Sequence, residues 1–274
     1  MKRTGTSQSA AQCMKWRAGL CALGFPVLAH AQAGLSVEAQ DPWMALASPV
    51  EGDAGAAAVP HHAPLSLESA MWVGGRRLFG LQQLQSHALA LSSQGPGGRW
   101  GVSIHQLEAE IWREHQVLVR WAPGRPDKSK ACDSSIGLEW RRQVAALDGW
   151  ENSALWLHSD LAWQAGALRL GVGGAASQPM AHAALETHLS LGCSLPLGVA
   201  LCWQSNRSTG RRDERASLVW RHPRGGMAVG WREGRGWEVG AQVKWRGLLL
   251  GVSWWNHPVL PPTSSWGMAW RKQP

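Results

Sequence analysis

The sequence predicts an all-β chain: an up-and-down antiparallel transmembrane β-barrel of 12–14 strands behind an irregular or short-helical N-terminal lead-in. Three observations carry that expectation. Beyond residue 80 the chain breaks into short alternating segments separated by turn signals. Residues 237–245 put Trp237, Val239, Ala241, Val243 and Trp245 on one strand face and Glu238, Gly240, Gln242 and Lys244 on the other, because strand side chains alternate. The apolar face carries an indole at each end, and at ~3.3 Å per residue and a tilt of roughly 40° these lie about 20 Å apart along a barrel axis. Finally, aromatic usage is skewed to 19 Trp against 2 Phe and no Tyr. Indole suits a membrane–water interface, where an apolar ring meets a wet N–H.

The chain opens on what reads as an export signal, residues 1–33. Lys2, Arg3, Lys15 and Arg17 form a basic start, Ala18 to Ala29 a mainly apolar core, and Ala31-Gln32-Ala33 a small-x-small cleavage site ahead of Gly34. That core is too short to span a bilayer, and no later run approaches about 20 apolar residues, so a mature chain in a membrane is there as a barrel. The location implied is the outer membrane of a Gram-negative bacterium, with outer-membrane lipid as a partner. Residues 34–80 are rich in Ala and Pro, with Pro42, Pro49, Pro60 and Pro64, and show little alternation. This lead-in is expected to pack in or under the barrel formed by 81–274, since a low-charge, Ala-rich stretch has apolar surface to bury.

Candidate strands are 81–92, 98–107, 114–122, 135–146, 151–163, 166–173, 181–192, 197–205, 213–221, 226–232, 237–245, 247–255 and 264–270. An odd number is the wrong parity for a bacterial single-chain barrel, which points to a further strand near 71–79 or to one strand wrongly split. Hairpin connectivity puts Trp231, Trp237 and Trp254 at one rim, and Trp220 and Trp245 at the other. With Trp266 and Trp270 these form the expected membrane girdle. If the last strand ends on the periplasmic side, Asn256–Ser264, Ser205–Glu214 and Gly173–Ala181 are long outside loops, and Arg246-Gly247, Gln164–Gly166 and Gln94–Gly98 are short inside turns. The long Pro123–Ser134 connection is the exception. The polar faces assign Gln85, Arg142, His158, Asp160, Arg169, Glu186, His188, Glu238, Gln242 and Lys244 to the lumen. Both charge signs occur among them, which argues against strong ion selectivity.

The formal charge of +8 comes from 27 basic and 19 acidic residues; without the leader's four basic residues it is 23 against 19, or +4. Basic residues are scattered through turns, and the nearest patch, Arg211, Arg212 and Arg215, is interrupted by Asp213 and Glu214, so no nucleic-acid partner is expected. Cleavage leaves Cys132, Cys193 and Cys202, too few for a disulfide framework.

Two short stretches resemble the PorV/PorQ-like outer-membrane barrels, relatives of the FadL-type channel fold. The first is Trp43-Met44-Ala45-Leu46-Ala47 followed by Asp53-Ala54-Gly55-Ala56-Ala57; the family's Asn-Pro-Ala element is replaced here by Pro60-His61-His62-Ala63-Pro64-Leu65. The second is His257-Pro258-Val259-Leu260 and then Thr263-Ser264-Ser265-Trp266-Gly267, similar to the family's ending apart from Pro261 and Pro262. The resemblance implies about fourteen strands, a lead-in tucked into the lumen, and transport of apolar molecules or a part in protein secretion alongside secretion-system proteins.

No catalytic, cofactor or metal site is expected. His158 and Asp160 share a strand face, but two ligands are too few for zinc, and neighbouring His61 and His62 point apart on an extended chain. Ser153 lies an odd number of residues from His158, so the two face opposite sides of a strand, and a Ser153–His158–Asp160 hydrolase triad is rejected. Gly-x-Ser-x-Gly, CxxC, P-loop and dinucleotide fingerprints are absent. The competing readings are a secreted or periplasmic β-sandwich binding module, its Trp side chains stacking on sugars, and, third, a barrel lipid hydrolase. The placement of Trp separates them: outward at both strand ends marks a girdle, clustered on one concave face a ligand platform.

Overall fold

A computed structural model describes residues 70–271 apart from 96, 111, 124–131, 146–148, 178–183, 209–210, 234–235, 257–258 and 260. The expected signal peptide, its cleavage site, the lead-in through residue 69 and the first family motif lie outside the described residues. Fourteen strands follow one another: β1 (Ala70–Arg77), β2 (Gln85–Gly95), β3 (Gly98–Glu108), β4 (Trp112–Ala122), β5 (Cys132–Ala145), β6 (Glu151–Ala165), β7 (Leu168–Ser177), β8 (Ala184–Ser194), β9 (Val199–Ser208), β10 (Arg211–His222), β11 (Gly225–Arg232), β12 (Gly236–Trp245), β13 (Leu248–Trp255) and β14 (Thr263–Arg271). Each pairs antiparallel with its neighbours in sequence, and β1 closes on β14 from Ala70↔Arg271 to Arg77↔Ser264. Closure satisfies the backbone groups of every strand and leaves no edge, the one way a sheet can stand in hydrocarbon. It also sets aside the β-sandwich reading.

The strand missing from the candidate series is β1. It begins at Ala70, so the barrel takes in the last part of the stretch assigned to the lead-in. Its sequence, AMWVGGRR, ends in two glycines and two arginines and lacks a clean alternation. A second difference concerns Ser205–Glu214, expected as a loop. The ladder continues through it, with Asp213 opposite Asn206 and Arg211 opposite Ser208. Likewise β7 runs on to Ser177.

Even-numbered strands end at the rim that also holds Ala70 and Arg271, called here the terminal rim, and are followed there by short connections except between β4 and β5, where nine residues intervene. At one of these, Arg246 and Gly247 both take positive φ, 46° and 85°. This is the geometry that lets a two-residue hairpin follow the strand twist. Odd-numbered strands connect at the opposite, loop rim.

The two faces are inverted relative to a soluble barrel. Trp237 is 62% exposed while its neighbour Glu238 is 5% exposed, and the alternation continues to Gly240 on β12 and runs the length of β13. Leu250, Val252 and Trp254 face out; Leu249, Ser253 and Trp255 face in. Around the barrel, Leu, Val, Ile, Met and Trp cover the outside and most arginines and carboxylates lie inside. Such an extensive apolar exterior would be an aggregation surface in water and is a lipid-facing surface in a bilayer. The seven tryptophans Trp220, Trp231, Trp237, Trp245, Trp254, Trp266 and Trp270 are all exposed on this outer face.

Candidate functional site

The inner wall is built by parity. On β4 the even residues Glu114, Gln116, Leu118 and Arg120 are buried; on β5 the odd residues Ser135, Glu139, Arg141 and Gln143; on β6 Trp156 and His158. Apolar residues on the alternate positions hold these strands against lipid, which forces their polar partners inward.

Across β4 to β8 the inward groups form a continuous ionic wall. Arg120 Nη2 donates to Ser135 Oγ at 2.8 Å and to Asp160 Oδ2 at 2.9 Å. The other oxygen of Asp160 lies 3.1 Å from His188 Nε2. Glu139 sits between two partners, accepting from Arg141 Nε at 3.0 Å and meeting His158 Nε2 at 2.8 Å. Arg141 also lies 3.8 Å from Glu186 and stacks its guanidinium 4.8 Å above the Trp156 ring. Glu114 accepts from Gln143 at 3.1 Å and from Gln116.

A second cluster spans β10 to β12 near the loop rim. Arg232 Nε donates to Asp213 Oδ1 at 2.7 Å while its Nη2 binds Oδ2, and Arg215 binds Glu238. The Arg232 guanidinium stands 6.0 Å from the Trp255 ring. Several of these contacts reach across a whole strand: Arg120–Asp160 over β5, Arg141–Glu186 over β6 and β7, Asp160–His188 over β7 and Arg215–Glu238 over β11, the last two over glycine. A Cβ on Gly173 would come within 2.6 Å of His188 Nε2, and one on Gly230 within 2.8 Å of Glu238 Cγ.

Part of the remaining wall, on β13 to β2, carries small residues beside the buried Arg76. In one register row Gly251, Gly267, Gly74 and Ala88 stand side by side on β13, β14, β1 and β2. Ala228, Ala269 and Ala90 extend this smooth sector.

Of the residues assigned to the lumen, His158, Asp160, Glu186, His188 and Glu238 have the ionic partners just described. Gln242 and Lys244 hold inner-face positions at the terminal-rim end of β12, where Lys244 is exposed. The side chain of Arg169 lies outside what the structure describes. Arg142 and Gln85 differ from the expectation. Arg142 shares the outer face with Ile136, Leu138 and Trp140 and makes a bidentate pair with Glu151 at 2.8 and 3.0 Å. Gln85 pairs with Arg77 and Glu108 on the outer-facing row. The reason is parity: each lies an even number of residues from outward apolar groups on its own strand.

Several inward residues escaped the sequence reading, namely Glu114, Arg120, Glu139, Arg141, Asp213, Arg215 and Arg232. The same parity count would have found them. Ser153 is exposed on the outer side of β6 while His158 is buried on the inner side. Cys193 and Cys202 occupy opposite faces of neighbouring strands, which excludes a bridge between them.

No family model matches the chain, and no curated protein matches it. The resemblance to PorV/PorQ-like barrels therefore rests on its two short motifs. Among solved structures the chain is similar to the KdgM porin, at 10% identity and a TM-score of 0.44, covering 74% of this chain and 99% of that one. It is similar to the outer membrane protein Omp33 of Acinetobacter baumannii at 9% identity and a TM-score of 0.49, covering 75% and 99%. A mutant form of the Rh. blastica porin gives 7% identity and a TM-score of 0.38 over the same shares. At these identities the likeness extends to the barrel form and no further.

Proposed function

We propose that the chain is a porin-like outer-membrane channel, closed at rest, whose cargo is polar. The observation that carries this reading is the ionic wall of β4 to β8. Glu114 and Glu139 are 0% exposed there, so that side of the bore is packed rather than open to water. A wide general pore would leave such side chains wet. The PorV/PorQ-like resemblance suggests apolar cargo or a role in secretion. A path for apolar molecules needs an apolar lining, and the small-residue sector of β13 to β2 offers one only along part of the circumference. Arginines and carboxylates hold the rest, and desolvating them beside an apolar solute is unfavourable.

Residues 34–69 are proposed as the second element of closure. They contain Glu38, Asp41, Glu51, Asp53 and Glu68 and neither Lys nor Arg, whereas all 23 basic residues beyond the leader lie in the sequence after residue 69. They precede β1, which begins at the terminal rim. Conductance in planar bilayers tests the reading. The intact mature chain is expected to give little steady current, and deletion of 34–69 to raise it. A large ohmic current from the intact chain would reject a closed channel. Silence in both proteins would favour a scaffold role in secretion.

A further inference from the structure

The outer face is not uniformly apolar: toward the loop rim polar rows follow three apolar ones on β9–β10, where Ser205–Glu214 and Arg207–Arg212 succeed Ala216–Trp203, and, more widely, on β2 to β5. Three outward rows there are apolar or aromatic. From the terminal rim they run Trp100–Trp121, Val102–Val119 and Ile104–Val117 across the β3–β4 pair. The next row is His87, Gln106, His115 and Arg142, side by side on the four strands, and above it stand Gln85, Glu108 and Arg113. None of these is buried: His87, Glu108 and Arg113 are exposed, and Gln85, Gln106, His115 and Arg142 are half-exposed. On β12, by contrast, five apolar positions follow one another from Trp245 to Trp237. Successive rows rise about 5 Å along the axis at this tilt, so the apolar band is about 10 Å thinner on β2–β5 than on β12. Hydrocarbon of one thickness cannot suit both. Charged groups at the depth of the His115 row are unfavourable against lipid, and thinning the bilayer carries its own cost per ångström.

We propose that this polar sector is covered by a second copy of the chain, in a two-fold dimer whose axis passes between β3 and β4. The residues are self-complementary about such an axis. It sets β3 of one copy against β4 of the other, so Glu108 meets the other copy's Arg113, and Gln106 its His115. At the flanks, β2 meets β5, and His87 faces the Arg142–Glu151 pair. The two signs occur together, which fits a like-sequence partner and does not fit an anionic lipid headgroup. Four strands at ~4.8 Å spacing and a band of about 25 Å give roughly 500 Å² per copy, or about 1,000 Å² in all, the lower bound for a specific interface.

The test is a charge swap in the full mature chain, purified in mild detergent and in lipid nanodiscs, with mass measured by light scattering. Faster gel migration of unheated protein reports that each variant is folded. The wild type is expected to be a dimer. Glu108→Arg and Arg113→Glu should each weaken association at least about tenfold by placing like charges together, and the double variant should restore it. A monomeric wild type, or single variants that stay fully dimeric, would overturn the proposal. So would a lipid-like pattern, in which Arg113→Glu loses retained anionic lipid, Glu108→Arg gains it and the double variant shows no rescue of dimer mass.

Discussion

Asp160 on β6 and His188 on β8 meet at 3.1 Å although β7 lies between them. Gly173 makes the contact possible, since its missing side chain is the space in which the imidazole and carboxylate approach. The ionic wall thus joins strands that share no backbone hydrogen bonds, tying second neighbours together around the bore.

Gly173→Val should break that tie. The branched side chain would displace both His188 and Asp160, leaving Arg120 with a misplaced partner. A lowered denaturant midpoint in lipid is expected, with the unheated band partly lost. An unchanged midpoint would show that the contact over β7 does not contribute to stability.

Glu139→Ala should be among the most damaging single changes in the interior. A buried ion pair adds little net stability, because desolvation offsets much of the attraction, yet removing one partner strands the other. Here Arg141 and His158 would both lose their carboxylate, at a cost of about 3–5 kcal/mol. Equilibrium unfolding in bilayers measures it. A change below about 1 kcal/mol would mean that water or Glu186 takes over.

Neighbouring positions on β12 should respond oppositely to the same residue. Ala241 is on the lipid side near mid-strand and Gln242 on the inner side. Arginine at Ala241 should cost about 2–4 kcal/mol, whereas at Gln242 it should be mild. Equal folding efficiencies for the two variants would contradict a lipid-facing exterior.

Proteolysis addresses the lead-in. Trypsin has no site in 34–69, but a glutamyl endopeptidase can cut at Glu38, Glu51 and Glu68. In the folded protein these sites should resist cleavage many-fold longer than in the boiled chain. Rapid loss of the segment, with the barrel intact, would remove it as an element of closure.

Much of the barrel was legible because lipid imposes a strict code. Wherever a strand crosses hydrocarbon, one face must be apolar, and β12 and β13 display this residue by residue. The code lapses toward the loop rim, where the outer face turns polar as well. That is why the polar strand extensions Gln204–Ser208 and Arg211–Glu214 read as a loop. It was also weak in β1, where Gly74, Gly75, Arg76 and Arg77 interrupt the pattern. Arg142 was legible but misread: the apolar series Ile136, Leu138, Trp140 already placed it outside. The pairings within the wall were not legible at all. Whether Arg120 meets Asp160, or Arg141 meets Glu186, depends on register across several strands and on which intervening positions are glycine.

The pairing of Ala70 with Arg271 has a kinetic consequence. Thirteen of the fourteen interfaces join strands adjacent in sequence and can form as local hairpins. The last joins the two ends of the described barrel, and loop-closure entropy makes it the slowest to find. Until β14 arrives, β1 presents unpaired backbone groups that neither lipid nor water within the membrane can satisfy. Insertion therefore has to be all-or-none with respect to the C-terminal strand. A chain truncated before Thr263 should persist as an open-edged species destined for proteases, even with its hairpins formed.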